Sequence, residues 1–364
     1  MLNMTKASIR DSMNIILTIA SKDIVDALKN RVVISMIIML SIILLVPKLL
    51  PLIFEQPQTI LPVYDWSGSP LMAKLNNTPG ISVQNLHSEQ ELASALCGSV
   101  YPEIGLQIPP DFNEAFPAGE RIEFQGYVCW GKRHQVSELL PKLEGMLTQS
   151  LGQPVVIRVE GNILYPPAQG GLLFSMATIN SVLMVLTMGV FLVPSLLFDE
   201  KETGTLQALL VSPASIGQVV TGKALAGLFY ILVTGVMIFA ISWADVIHWD
   251  MALVFVLSGG IFSVAVGLVF GGFYEKQQDA VGVVTTLLLI LVGAIVVQVF
   301  GMDLPAWVES ILSWVPSVAL AEICHAVYTV SIPGTRVLTD LLLVISVSLL
   351  LYALIVWKVR RSDR

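Results

Sequence analysis

Apolar residues run almost unbroken through six stretches of the chain, at residues 32–54, 171–198, 224–243, 251–273, 281–300 and 341–357. About 20 apolar residues in a helix cross a hydrocarbon layer of roughly 30 Å, so each stretch predicts a membrane-spanning helix. The last is short, with Thr339 and Asp340 before it and Lys358 after it; tilt and neighbouring helices accommodate such a length. Ahead of the first span, residues 8–31 carry apolar positions at Ile9, Met13, Ile16, Leu17, Ala20, Ile24 and Leu28, with Lys22, Asp23, Asp26 and Lys29 between them. That stripe predicts an amphipathic helix in the headgroup layer, or a plain extension of the first span.

Residues 55–170 read differently. The segments ILPVYDW, ISVQNL, EIGLQIP, RIEFQGYVCW and VVIRVEGNIL have strand character. Helical stretches separate them, one around 72–76, one opened by Ser88 with Glu91 three residues on, and one over 133–151. The segment is too long for a loop in a compact bundle, and its alternation predicts a small α/β domain. The expected fold class is a mainly α membrane protein, six transmembrane helices with this domain inserted after the first.

Composition agrees: of 364 residues 55% are hydrophobic and 13% charged, with mean hydropathy +0.77. The net charge of -7 says little about partners because the charge is unevenly spread. Lysine and arginine placement orients the spans. Lys6, Arg10, Lys22, Lys29 and Arg31 precede the first span, and Lys358, Arg360, Arg361 and Arg364 follow the last. Both termini are therefore expected to be cytoplasmic, in a multi-pass protein of the cell (inner or plasma) membrane. The connections 245–250 and 301–340 fall outside, and Lys201, Lys223 and Lys276 inside. The α/β insert links two outward ends, which makes it extracytoplasmic. The first apolar run lacks a small-residue cleavage site and reads as an anchor. Lys48 near its outer end reads as a snorkelling side chain. Of three cysteines, Cys97 and Cys129 fall in the insert, where either a disulfide or two buried thiols is compatible with the sequence.

The stretch LLFDEKETGTLQALLVSP, residues 196–213, joins the second and third spans. The apolar run ends at Phe198, and Asp199, Glu200, Lys201 and Glu202 follow at once. Gly204 breaks the helix, Thr205, Leu206, Leu209 and Leu210 form a short amphipathic turn, and Ser212 with Pro213 reads as a new helix start. A surface helix that rounds a corner fits this spacing, and so does a docking element. The order EKETGTLQALLVSP, followed by Gly222 and Lys223, resembles the permease subunits of type-2 ATP-binding-cassette exporters. In that family the segment is the coupling helix that seats in a groove of the ATPase.

The resemblance implies ATPase-coupling roles for Asp199, Glu200, Lys201, Glu202, Gly204, Thr205, Leu206, Leu209, Leu210 and Pro213. It also implies an elbow helix over 1–31, an external helical hairpin over 301–338 and a coupling helix over 199–212. A second permease copy would complete the transporter, as a homodimer or a related heterodimer. In such a dimer the second and fifth spans face the axis, which makes Asn180, Thr187 and Gln298 candidates for the substrate pathway. Glycines 259, 260, 267, 271 and 272 in the fourth span read as close-packing positions. Amphiphilic drugs, lipids and sodium ions all remain open as substrates, and so does an ATP-independent scaffold or sensor acting through the external domain.

Absences narrow the chemistry. No G-x-x-x-x-G-K-[ST] phosphate loop occurs, and Gly222–Lys223 lacks both the upstream glycine and the following hydroxyl residue. No metalloprotease, serine-hydrolase or paired-cysteine motif is found, and Glu322 with His325 alone does not make a metal site. The chain is therefore expected to be no enzyme and to bind no cofactor itself; ATP and Mg would be held by the partner ATPase. No basic, aromatic-interleaved surface points to nucleic acid.

Overall fold

A computed structural model describes residues 2–29, 31–53, 59–65, 75, 81–98, 104–108, 112, 122–159, 161–166, 172–202, 215–300, 305–330 and 334–362. Among the described residues five helices are long and apolar enough to cross a membrane. They are α5 (Leu172–Glu202), α6 (Ile216–Ile241), α7 (Trp249–Phe273), α8 (Gln277–Val299) and α11 (Gly334–Ser362). Two shorter helices, α9 (Ala306–Leu312) and α10 (Pro316–Tyr328), pass the same test only as a pair bent by 82°. Each opens at a proline, Pro305 as the N-cap of α9 and Pro316 in the first turn of α10. The amphipathic stripe and the first apolar run form α1 (Leu2–Lys29) and α2 (Arg31–Ile53).

The last helix departs from the sequence expectation. It begins at Gly334, inside the stretch expected to be an external connection, and runs 29 residues. Its polar first turns are held because Arg336 donates to Glu322 Oε1 on α10 at 2.9 Å.

The bundle is built round α5, whose apolar span is 83% buried, against 28% for α8 and 17% for α11. Such a helix has apolar residues on nearly every face, because every face meets protein. Helix α7 lies directly on it. A Cβ added at Gly267 would come 2.4 Å from the carbonyl oxygen of Gly189, and one at Gly271 would come 2.4 Å from Leu197 Cδ1. The small residues let the two backbones touch.

Six strands described between Thr59 and Leu164 form a mixed sheet in the order β2-β1-β3-β4-β5, with β6 beside β4. The strands are β1 (Thr59–Tyr64), β2 (Ile81–Leu86), β3 (Gly105–Gln107), β4 (Ile122–Cys129), β5 (Val155–Arg158) and β6 (Ile163–Leu164). Only β3 and β4 pair antiparallel, with Leu106 opposite Gly126. Parallel neighbours need a crossover, and α4 (Val136–Leu151) supplies it between β4 and β5. Alternation in β4 buries Ile122 and Phe124 against Leu143, Leu147 and Leu151 of α4. On α3 (Glu89–Gly98), Leu92 and Leu96 join the apolar cluster that α5 and α7 also share. At its start Ser88 Oγ accepts from Glu91 N at 3.1 Å, while the Glu91 carboxylate takes His87 N, one residue ahead of the cap. A disulfide joins Cys97, in the last turn of α3, to Cys129, at the end of β4. The helix expected at 72–76 lies outside the described residues apart from Leu75.

Candidate coupling site

The linker between α5 and α6 is the candidate docking element. Gly204, Thr205, Leu206, Leu209, Leu210 and Pro213 lie outside the described residues, so the two helix ends that flank them define the site. Helix α5 continues through the charged cluster to Glu202. Asp199 is exposed at its edge. Lys201 turns inward: its Nζ donates to the carbonyls of Gly271 and Tyr274, each at 2.7 Å. Those carbonyls close α7, where the helix dipole is negative and the last oxygens lack helical partners. Burial holds the Lys201 pKa below the ordinary lysine value; Lys358 pushes it the same way and Glu275 opposes. The ammonium expected to face a partner is engaged within the chain, fastening the end of α5 to the end of α7. Nearby, Lys358 of α11 sits 3.6 Å over the Phe273 ring.

On the other flank, α6 begins at Ile216, with Ser215 as its N-cap. Expectation placed the cap at Ser212 and the first helical residue at Pro213. The difference follows from the capping box, which needs a long polar side chain three residues on. Ser215 has it in Gln218: Gln218 N donates to Ser215 Oγ at 3.4 Å and Ser215 N donates to Gln218 Oε1 at 2.7 Å. Ser212 has only Ser215 at that position.

One turn further along α6, Lys223 ties three helices together. Its Nζ meets Asp23 Oδ2 of α1 at 3.2 Å, with 0% and 6% of the two side chains exposed. The same Nζ donates to the Leu196 carbonyl of α5, also at 3.2 Å. Around it Gln218 Nε2 donates to Ser12 Oγ at 2.8 Å, and Tyr230 OH donates to the carbonyl of Ile24. Helix α1 can come this close because a Cβ at Gly222 would lie only 2.8 Å from Ile19 Cγ2. A buried ion pair adds little net stability, but it fixes one arrangement of the elements carrying it, since either charge alone is costly. Sequence reasoning missed this pair, reading Gly222–Lys223 as part of the family resemblance and as too incomplete for a phosphate loop. The readable signal was Asp23 itself, which shares a helical face with Ala20 and Ala27, all three buried.

The pathway candidates separate. Asn180 and Thr187 lie with Met176, Leu183 and Phe191 on one partly open stripe of α5, while 181–182, 184–186 and 188–190 are buried. Gln298 is elsewhere, near the end of α8, donating to Glu322 Oε1 at 3.5 Å in the cluster that also holds Arg336.

Long apolar helices packed round one buried helix, with charged and capped ends at a single linker, define a multi-pass membrane protein. The chain belongs to the ABC-2 family transporter proteins, whose family model matches residues 32–357. It is also similar to the probable multidrug ABC transporter permease YbhR of Escherichia coli, from strain K12 and from O157:H7, at 33% identity over 142 residues. That match covers 37% of this chain and 38% of each relative, so the chain spans under two-fifths of the curated relatives' length. Membership places the chain among the membrane subunits of ABC transporters.

Proposed function

We propose that this chain is the permease subunit of an ABC exporter, driven by a separate ATPase that docks on residues 199–213. The observation that carries the reading is the knot at Lys223, where α1, α5 and α6 are held together beside the linker that joins α5 to α6. A force on that linker reaches three helices as one unit, which suits rigid-body switching between inward- and outward-open states. In this reading the ATPase holds ATP and Mg, and the permease performs no catalysis.

Both termini lie in the cytoplasm of an inner or plasma membrane, in keeping with the basic residues before the first span and after the last. Residues 1–31 are the elbow, 199–212 the coupling helix, 55–170 the extracytoplasmic domain and 301–338 an external hairpin whose last five residues are the start of α11. A second copy or a related permease packs against the open stripe of α5, so that Asn180 and Thr187 meet the substrate. Drug-like amphiphiles or lipids suit that largely apolar seam, and the similar relatives are described as probable multidrug permeases.

The test is the charge-reversed variant Glu200→Lys with Glu202→Lys. It should lose co-purification with the ATPase, or keep binding and lose substrate-stimulated ATP hydrolysis. Normal binding with normal stimulation would remove the docking claim.

A further inference from the structure

The sheet is gripped by the corner at the far end of α6. Immediately after β4 comes a 3₁₀ turn, Trp130–Gln135, and it faces the corner 242–248 that joins α6 to α7. Trp130 Nε1 donates to the Val246 carbonyl at 3.3 Å, and Arg133 donates to the Ala244 carbonyl at 2.8 Å. The same guanidinium lies 3.7 Å over the Trp130 ring and donates to the Trp130 carbonyl at 2.6 Å. Beside them the His134 and Trp243 rings are 4.7 Å apart. The fit is close: a Cβ at Gly131 would fall 2.2 Å from Asp245 Oδ1. Burial lowers the Arg133 pKa, and the neighbouring Asp245 and Tyr165 oppose that.

Both sides of this contact are stiff. The turn is fastened to α3 by the Cys97–Cys129 bridge and by Lys132, which donates to the Leu96 carbonyl at 3.1 Å. The corner is fastened to the end of α10, since Ile247 N and His248 N both donate to the Val327 carbonyl, at 3.0 and 3.1 Å. From the corner back to the Lys223 knot runs the greater part of α6, residues 223–241 without a proline, about 28 Å of continuous helix.

We infer that α6 carries movement of the coupling linker to the sheet domain, with Arg133 and Trp130 as the positioning residues that make the domain follow the helix. This deepens the transporter reading and rests on it for the source of the movement. The clamp itself does not depend on it. Chains of packed and hydrogen-bonded rigid elements are a physical route for such coupling.

Two spin labels on the full chain in nanodiscs test the clamp, at Glu138→Cys on α4 and Leu253→Cys on α7, both exposed positions. The native cysteines stay silent, two being bridged and Cys324 buried. The expected distance distribution is narrow; Arg133→Ala should at least double its width, and Arg133→Lys should recover part of it. An unchanged width in Arg133→Ala overturns the clamp.

The second arm adds the ATPase subunit with ATP and vanadate. The distance from Glu138→Cys to Val236→Cys on α6 should hold while that to Leu338→Cys on α11 shifts, and Arg133→Ala should abolish the difference. If both distances shift alike in the unsubstituted clamp, the domain does not ride on α6 and the inference falls. If no ATPase binds, the transporter reading fails, and the width comparison still decides the clamp.

Discussion

Replacing Lys223 by methionine removes a charge that bridges α1, α5 and α6 while keeping most of the side-chain volume. Asp23, only 6% exposed, would then lose the ammonium 3.2 Å from its buried carboxylate, and the Leu196 carbonyl would lose its Lys223 donor. Breaking a buried pair from one side costs about 3–5 kcal/mol, because the survivor's desolvation is no longer offset. At roughly 2 °C per kcal/mol for a chain of this size, melting followed by tryptophan fluorescence should fall by about 6–10 °C. The partner change Asp23→Leu should cost a similar amount. The double variant should recover most of the loss, since an apolar replacement of a buried pair is close to neutral. Under the proposed function, an ATPase should still bind the double variant but be less well coupled to transport, as the arrangement of α1 on α6 is no longer fixed by charge. The reasoning is refuted if Lys223→Met melts within 2 °C of the parent, or if the double variant is no more stable than either single one.

Three further outcomes follow from the packing. Gly267→Ala should force α5 and α7 apart, against the 2.4 Å approach to the Gly189 carbonyl, and cost about 1–3 kcal/mol in thermal stability; an unchanged Tm would show that the backbones have room. Removing the bridge with Cys97→Ser and Cys129→Ser, 32 residues apart, should destabilise the sheet domain by about 3–4 kcal/mol, read as faster limited proteolysis within residues 59–164. Trp243, Trp249, Trp307 and Trp314 are all exposed where the helices turn opposite the coupling linker, as an interfacial aromatic belt requires. Trp307→Phe with Trp314→Phe should therefore reduce quenching by lipids brominated near the headgroup, and equal quenching in parent and variant would place those rings elsewhere.

Periodicity made the bundle legible because long apolar runs have few ways to satisfy their backbone outside a helix. The strands of the insert were readable for a related reason: Ile122 and Phe124 alternate with polar neighbours as a half-buried strand demands. Boundaries set by side-chain chemistry at a distance were not readable. The start of α11 depends on Arg336 reaching Glu322, 14 residues back in the chain, and the start of α6 on which of two serines has a glutamine three residues on. Roles were hidden the same way. Lys201 looks like a docking charge in a run of four, and only its reach to Gly271 and Tyr274, 70 and 73 residues away, shows it capping α7. Asp23 and Lys223 stand 200 residues apart, so no local pattern could pair them.

The contact of α5 with α7 limits how the molecule can change shape. Sliding between helices normally occurs across a layer of side chains that re-pack, and at Gly267 and Gly271 α7 contributes no side chain to that layer, Gly267 lying against the Gly189 carbonyl itself. Tilting together as a single beam keeps this contact intact. The spans with the most surface left outside that beam are α8 and α11, and α11 is still seated on α7, where a Cβ at Gly272 would fall 2.0 Å from Ile355 Cδ1.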